Sequence, residues 1–147
     1  MIRRYRDDDF ESVLAIWFSA MQVSIPALLV RMGHTLENSR EFFRTNLTKD
    51  CDVWVYEHDD HPAAFISLKG EFIDRLYVSP HHQRQGIGLA LLDHARNLSP
   101  LHLWLYTDQA NKLSRSFYEK NGFTAIRFGV TPPPASEPDV EYHWYPK

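Results

Sequence analysis

The chain has 147 residues, 44% hydrophobic and 14% aromatic, which is enough material for one domain with a substantial core. A net charge of −3 offers no basic face for nucleic acid. The longest apolar runs, such as Ile25 to Val30, are too short to span a bilayer, and Cys51, the only cysteine, can form no internal disulfide, which suits a reducing cytoplasm.

Met1 to Arg4 leads straight into charged residues, without the apolar stretch of a secretory leader. Ile2 to Tyr5 reads as a first strand. Asp7-Asp8-Asp9 supplies helix caps, with Glu11 three residues after Asp8 in a capping-box arrangement. Phe10, Val13, Leu14, Trp17 and Met21 recur at helical spacing, so an amphipathic helix is expected to about Gln22, where Ser24-Ile25-Pro26 breaks it. Ala27 to Met32 forms a short second helix ended by Gly33, and Glu37 to Leu47 a third. Trp17, Met21, Phe42 and Phe43 read as a helical stripe packed on a sheet. Val53 to Glu57 and Ala63 to Leu68 form a hairpin around residues 58–62. His58 with His61, and His81 with His82, have metal-like spacing but no third ligand nearby, and are read as exposed loop histidines.

Phe72 to Val78 is the fourth strand, closed by Ser79-Pro80 because proline cannot donate to a ladder. A polar loop and a helix to about Leu98 follow, and at their junction lie Gln83-x-x-Gly86-x-Gly88. Two glycines at a helix start let the backbone approach a ligand and leave the first helical N–H groups aimed at it, a setting that favours phosphate. The dinucleotide fingerprint fails, since Leu91 stands where its third glycine belongs and seven residues separate strand from glycines. The triphosphate loop fails too, for want of Gly-Lys-Ser/Thr. Leu101 to Thr107 is strand five, Leu113 to Asn121 the last helix with Gly122 as its C-cap, Thr124 to Phe128 strand six, and Glu141 to Tyr145 strand seven after a loop stiffened by four prolines. No linker or repeat divides residues 1–147, which read as a single domain.

Gln83-x-x-Gly86-x-Gly88 after a strand ending Val78-x-Pro80 resembles the acetyl-CoA loop of the GNAT superfamily of N-acetyltransferases. Asn111-x-x-Ser114-x-x-Phe117-Tyr118-x-x-x-Gly122-Phe123 resembles the family's next element, with Ser114 where alanine is usual. The resemblance implies an α/β (mixed α+β) fold: a mixed, mostly antiparallel seven-stranded sheet with parallel, splayed strands four and five, flanked by about four helices. It implies acetyl-CoA as cosubstrate and no metal. Pantetheine would bond the backbone of Leu76, Tyr77 and Val78 like an added strand. The pyrophosphate would lie on N–H groups of Gln83, Arg84, Gln85, Gly86, Ile87, Gly88 and Leu89, with the Arg84 side chain as a further contact. Asn111 and Ser114 would touch the cofactor, Asn111 otherwise serving as a helix cap. An N–H near Val78 would hold the oxyanion, and Tyr118 would protonate the departing thiolate.

The base is not inherited. Histone-type relatives place a glutamate where Phe72 stands, so the candidates are Asp74, which shares a strand face with Phe72, its neighbour Glu71, and a water chain. The expected acceptor is a primary amine of a small molecule, a peptide N-terminus or a lysine. It would approach past the segment from Trp17 to Phe43 and the loop from Val130 to Val140, near Glu37, Glu41, Glu137 and Asp139. Nucleic acid and membrane are not expected partners, and monomer and homodimer both stay open. A non-catalytic acyl-CoA-binding module is the alternative, against which Tyr118 counts.

Overall fold

The computed structural model describes residues 1–147. In chain order the elements are β1 (Ile2–Arg4), α1 (Phe10–Ser24), α2 (Pro26–Met32), α3 (Leu36–Leu47), β2 (Asp52–His58), β3 (His61–Lys69), β4 (Phe72–Val78), α4 (Ile87–Leu98), β5 (Leu103–Asp108), α5 (Lys112–Lys120), β6 (Thr124–Val130) and β7 (Pro138–Trp144). The seven strands form one sheet in the order β1-β2-β3-β4-β5-β7-β6. Every neighbouring pair is antiparallel except β4 and β5. There are five α-helices, as the chain-order reading gave, with Pro26, tolerated as a first helical residue but not within a helix, separating α1 from α2. No single helix is long and apolar enough to cross a membrane.

Local chemistry accounts for most of the boundaries. The β2–β3 hairpin turns on Asp59 and Asp60 alone, both at positive φ (51° and 65°), which is the two-residue turn whose twist matches that of the strands. The loop is therefore shorter than the five residues expected. Gly33 ends α2 at φ 69°, and Thr35 caps α3 in a reciprocal box with Asn38. Strand β7 begins at Pro138, three residues early, because a first strand position does not require an N–H from proline.

The start of α1 differs from expectation. Asp8 and Glu11 do not cap it. Asp7–Asp9 form a 3₁₀ turn instead, and the Asp9 carboxylate accepts the Arg6 N–H at 2.8 Å and Nη1 and Nη2 of Arg3, each at 2.9 Å. Asp9 is only 5% exposed, and a carboxylate at that depth must be paired. The Arg3 guanidinium beside it holds its carboxyl below the usual range. Asp9→Ala is expected to cost about 3 kcal/mol, the low end for breaking a buried pair, because Glu57 still faces Arg3 at 3.2 Å. A depressed folded-state pKa gives stability that is complete above the unfolded value of about 3.9 and lost as pH falls through the folded value. Urea unfolding should thus show the wild-type advantage at pH 7 shrinking by pH 3; an advantage independent of pH would disprove the ionic account.

Helices α1 and α3 cover one face of β2–β4. Phe43, fully buried, stacks on Trp17 at 4.9 Å and meets Phe65 edge-on at 6.1 Å. Helices α4 and α5 cover the other face, where Leu91, Leu92 and Tyr118 pack with Leu103, Leu105, Val140 and Tyr142. The expected aromatic stripe holds for Trp17 and Phe43 only. Phe42 is 60% exposed, because its neighbour takes the inward position.

The feature that positions the site is the parting of β4 from β5. They pair only at Phe72 and Trp104, with Trp104 N–H donating to the Glu71 carbonyl at 3.1 Å, and diverge from there toward Val78 and Asp108. Asp74 is the extra residue of a bulge: Ser67 faces Arg75 while Leu68 faces Ile73. A bulge bends its strand and breaks the side-to-side alternation, so Asp74 and Arg75 do not simply alternate.

Candidate active site

A cleft of about 800 Å³ runs through the gap, lined by β4, β5, α5, the start of α4 and the last turn of α1. That size suits a large organic ligand. At one mouth the chain makes a 3₁₀ turn at Pro80–His82, passes through Arg84 at φ 65° and enters α4 through Gly86 at φ 79°. The first helical bond runs from the Ala90 N–H to the Gly86 carbonyl, so the N–H groups of Ile87, Gly88 and Leu89 are unclaimed by the protein. Gly88 lies close against its surroundings: a Cβ there would meet the Phe117 ring and Val78 at 3.5 Å. The cradle thus offers free donors, the positive end of a helix and a bare backbone, which fits a phosphate-bearing ligand.

Along β4, Leu76, Tyr77 and Val78 pair with β3 on one side and border the gap on the other. The Gln83 amide donates to the Val78 carbonyl at 3.3 Å, tying the glycine loop to the strand. Across the gap, Thr107 donates to the Ser114 hydroxyl at 3.1 Å, and the Asn111 side chain accepts the Ser114 N–H at 3.1 Å as the cap of α5. Asn111 caps the helix and lines the cleft as well.

Tyr118 reaches the cleft from α5, its ring packed against Phe117 at 5.1 Å and Phe123 at 5.2 Å. Its hydroxyl makes no hydrogen bond within the protein. Burial, with the neighbouring Tyr77 phenol, pushes its pKa far above the ordinary tyrosine value, so the proton stays on oxygen at neutral pH.

The two candidate bases lie in different places. Asp74 borders the cleft, but its carboxylate accepts from Arg75 at 2.8 Å, with the Cys51 sulfur at 4.0 Å. Glu71 lies at the closed end of the gap, outside the cleft. Its carboxylate bonds His102, which continues to His143 at 2.8 Å and Glu141 at 2.7 Å. Gln85 is the only residue of the glycine-loop set that does not line the cleft. Among the other acids, Glu37 is on the solvent side of α3 near Arg40, and Glu137 is ion-paired with Arg31, which joins the proline-rich loop to α2. His58 meets His82 rather than His61, their rings 5.0 Å apart.

Sequence reasoning missed Asp108, the last residue of β5, which lines the cleft; Met21 and Ser24 of α1 and Ile25 just after it, within the segment expected on the acceptor side, line it too. A carboxylate ending an apolar strand was a faint signal for Asp108.

Residues 49–125 match the sequence model of the acetyltransferase (GNAT) domain. The chain is 32% identical over 123 residues to the peptidyl-lysine N-acetyltransferase YjaB of Salmonella typhimurium, covering 83% of this chain and 81% of that protein. The solution structure of apo YjaB from Escherichia coli superposes with a TM-score of 0.84 at 25% identity, covering 98% of this chain and 96% of the other. The PaiA N-acetyltransferase of Thermoplasma acidophilum, solved with coenzyme A, superposes with a TM-score of 0.72 at 22% identity over 99% and 98% of the two chains.

Proposed function

The chain belongs to the GNAT family of acetyltransferases, and on that premise we propose that it transfers an acetyl group from acetyl-CoA directly to a primary amine, with a lysine side chain of a protein as the leading acceptor class. The observation that carries the reading is the gap between β4 and β5, with an unclaimed set of helix N–H groups at one mouth and the Tyr118 hydroxyl inside. The lysine class rests on the YjaB relative, whose name specifies peptidyl lysine. A coenzyme A-bound neighbour of the same fold supports the cofactor.

Acetyl-CoA supplies a thioester whose carbonyl an uncharged amine can attack. The N–H groups of Ile87, Gly88 and Leu89 would hold its pyrophosphate, with the Arg84 charge nearby and Gln83 keeping the loop against β4. The strand edge from Leu76 to Val78 would align the pantetheine, and a backbone N–H near Val78 would receive the oxyanion. Asn111 and Ser114 form the opposite wall. As the C–S bond breaks, Tyr118 donates its proton to sulfur and is reprotonated from solvent. The amine enters from the side of Met21, Ser24 and Ile25, between α1 and the proline-rich loop. One domain of this kind, needing acetyl-CoA and carrying one unpaired cysteine, suits the cytoplasm.

Initial rates with acetyl-CoA and a lysine peptide should give intersecting double-reciprocal lines, because both substrates must be bound before transfer. Acetyl-CoA should also raise the melting temperature by itself. Parallel lines, or a burst of free CoA without acceptor, would defeat direct transfer. A thermal shift without acetyl-CoA consumption on any amine would leave only a binding module.

A further inference from the structure

We propose that Asp108 is the group that takes the proton from the incoming amine, with Asp139 as the neighbour that holds it in readiness. This rests on the reading of the cleft as an acyl-transfer site, and names a catalytic residue that neither the motifs nor the family resemblance supplied.

The position follows from strand alternation. Leu103 and Leu105 are buried against α4 and α5, and Thr107 bonds Ser114 on the same side, so Tyr106 and Asp108 lie on the opposite face. That is the face on which Tyr77 packs against Phe65 in the cluster under α1. Asp108 thus stands at the open end of the gap, on the acceptor side, and lines the cleft with Met21, Ser24 and Ile25.

The lack of a partner separates it from the paired acids nearby. Asp74 is held by Arg75, Glu71 by His102, Glu141 by His143 and Glu137 by Arg31. The Asp108 carboxylate has no cation and no hydrogen-bond donor. Its local structural duty is done by the backbone, whose carbonyl accepts the Asn111 N–H at 3.0 Å. Directly across the ladder stands Asp139, also without a cation. The other groups facing this corner are the Tyr77 phenol of β4, Tyr106 of β5 itself and Arg75, which is committed to Asp74. Arg127 of β6 lies beyond Asp139, over Gly129, and α1 offers only uncharged side chains. Desolvation first, and then the Asp139 charge, raise the Asp108 pKa.

An unpaired carboxylate in a cleft attracts an ammonium group and gains when it accepts a proton. The alkylammonium gives one proton to Asp108, and the free amine attacks the thioester carbonyl. The new C–N bond forms, the C–S bond breaks, and the nitrogen's second proton balances the one that Tyr118 gives to sulfur. Asp108 then releases its proton to solvent, so the turnover yields one amide, one thiol and one proton.

The test is kcat/KM against pH for a lysine peptide at saturating acetyl-CoA. Asp108→Asn should lower kcat/KM at neutral pH by about 10²–10³-fold and remove the acidic limb, with acetyl-CoA affinity by calorimetry within about twofold. Asp139→Asn removes the like charge, so the acidic limb should move to lower pH; a purely structural role would not produce that shift. A wild-type limb in Asp108→Asn, an unmoved limb in Asp139→Asn, or loss of the limb in Asp74→Asn instead would overturn the assignment. Wild-type protein that binds acetyl-CoA but never consumes it with the peptide would overturn the acceptor reading, and this proposal with it.

Discussion

Tyr118→Phe should reduce kcat by about 10²–10⁴-fold while leaving acetyl-CoA affinity and melting temperature nearly unchanged. The reduction corresponds to about 3–5 kcal/mol of barrier. Stability should hold because the substitution removes one oxygen that bonds nothing within the protein, and the ring keeps its contacts with Phe117 and Phe123. No orphaned donor or acceptor is left behind, which is the usual cost of deleting a buried hydroxyl. The deficit should also depend on the leaving group. An acetyl thioester of a more acidic thiol needs less help to depart, so the gap between wild type and variant should narrow with it. Full kcat in the folded variant, or an equal deficit with both thioesters, would make Tyr118 a packing residue.

Gly88→Glu is expected to weaken acetyl-CoA binding by about two orders of magnitude or more, roughly 3 kcal/mol, without unfolding the protein. The side chain would place bulk beside Phe117 and Val78 and a negative charge among the N–H groups that should meet the pyrophosphate. The same charge is favourable to the empty protein, since an acid in the first turn complements the helix dipole. Stability and affinity should therefore move in opposite directions, which a misfolded variant could not imitate. Gly88→Ala is the matched control: its Cβ would sit at an ordinary 3.5 Å, so its effect should be far smaller. Unchanged affinity in the folded Glu variant would remove the phosphate cradle from the account.

Both variants alter residues that motif spacing had marked. The positions of Gly86, Gly88 and Tyr118 are legible because they depend on local geometry. A helix start needs a left-handed entry at Gly86, a bare backbone must pass Phe117 at Gly88, and Tyr118 falls on the inward side of a short helix. The bounds of β4 were legible for a similar reason, as apolar alternation ends at a proline. Asp9 was misread because a capping argument sees only neighbours along the chain, whereas Arg3 arrives from an adjacent strand.

By itself, then, the sequence determined the elements, their order, the glycine-lined helix start and the place of Tyr118 on the last helix, because each follows from interactions within a few residues. What only the tertiary structure decided is which charges remain unpaired. Asp74 and Glu71 looked free in the chain and are bound by Arg75 and His102, while Asp108, unremarkable in the chain, is left without a partner opposite Asp139 at the mouth of the gap. The bulge at Asp74, the single pairing between β4 and β5, and the arrival of Met21 and Ser24 from α1 produce that result. Whether a carboxylate can act as a base depends on what stands within a few ångströms of it, and those neighbours come from strands and helices far apart in sequence.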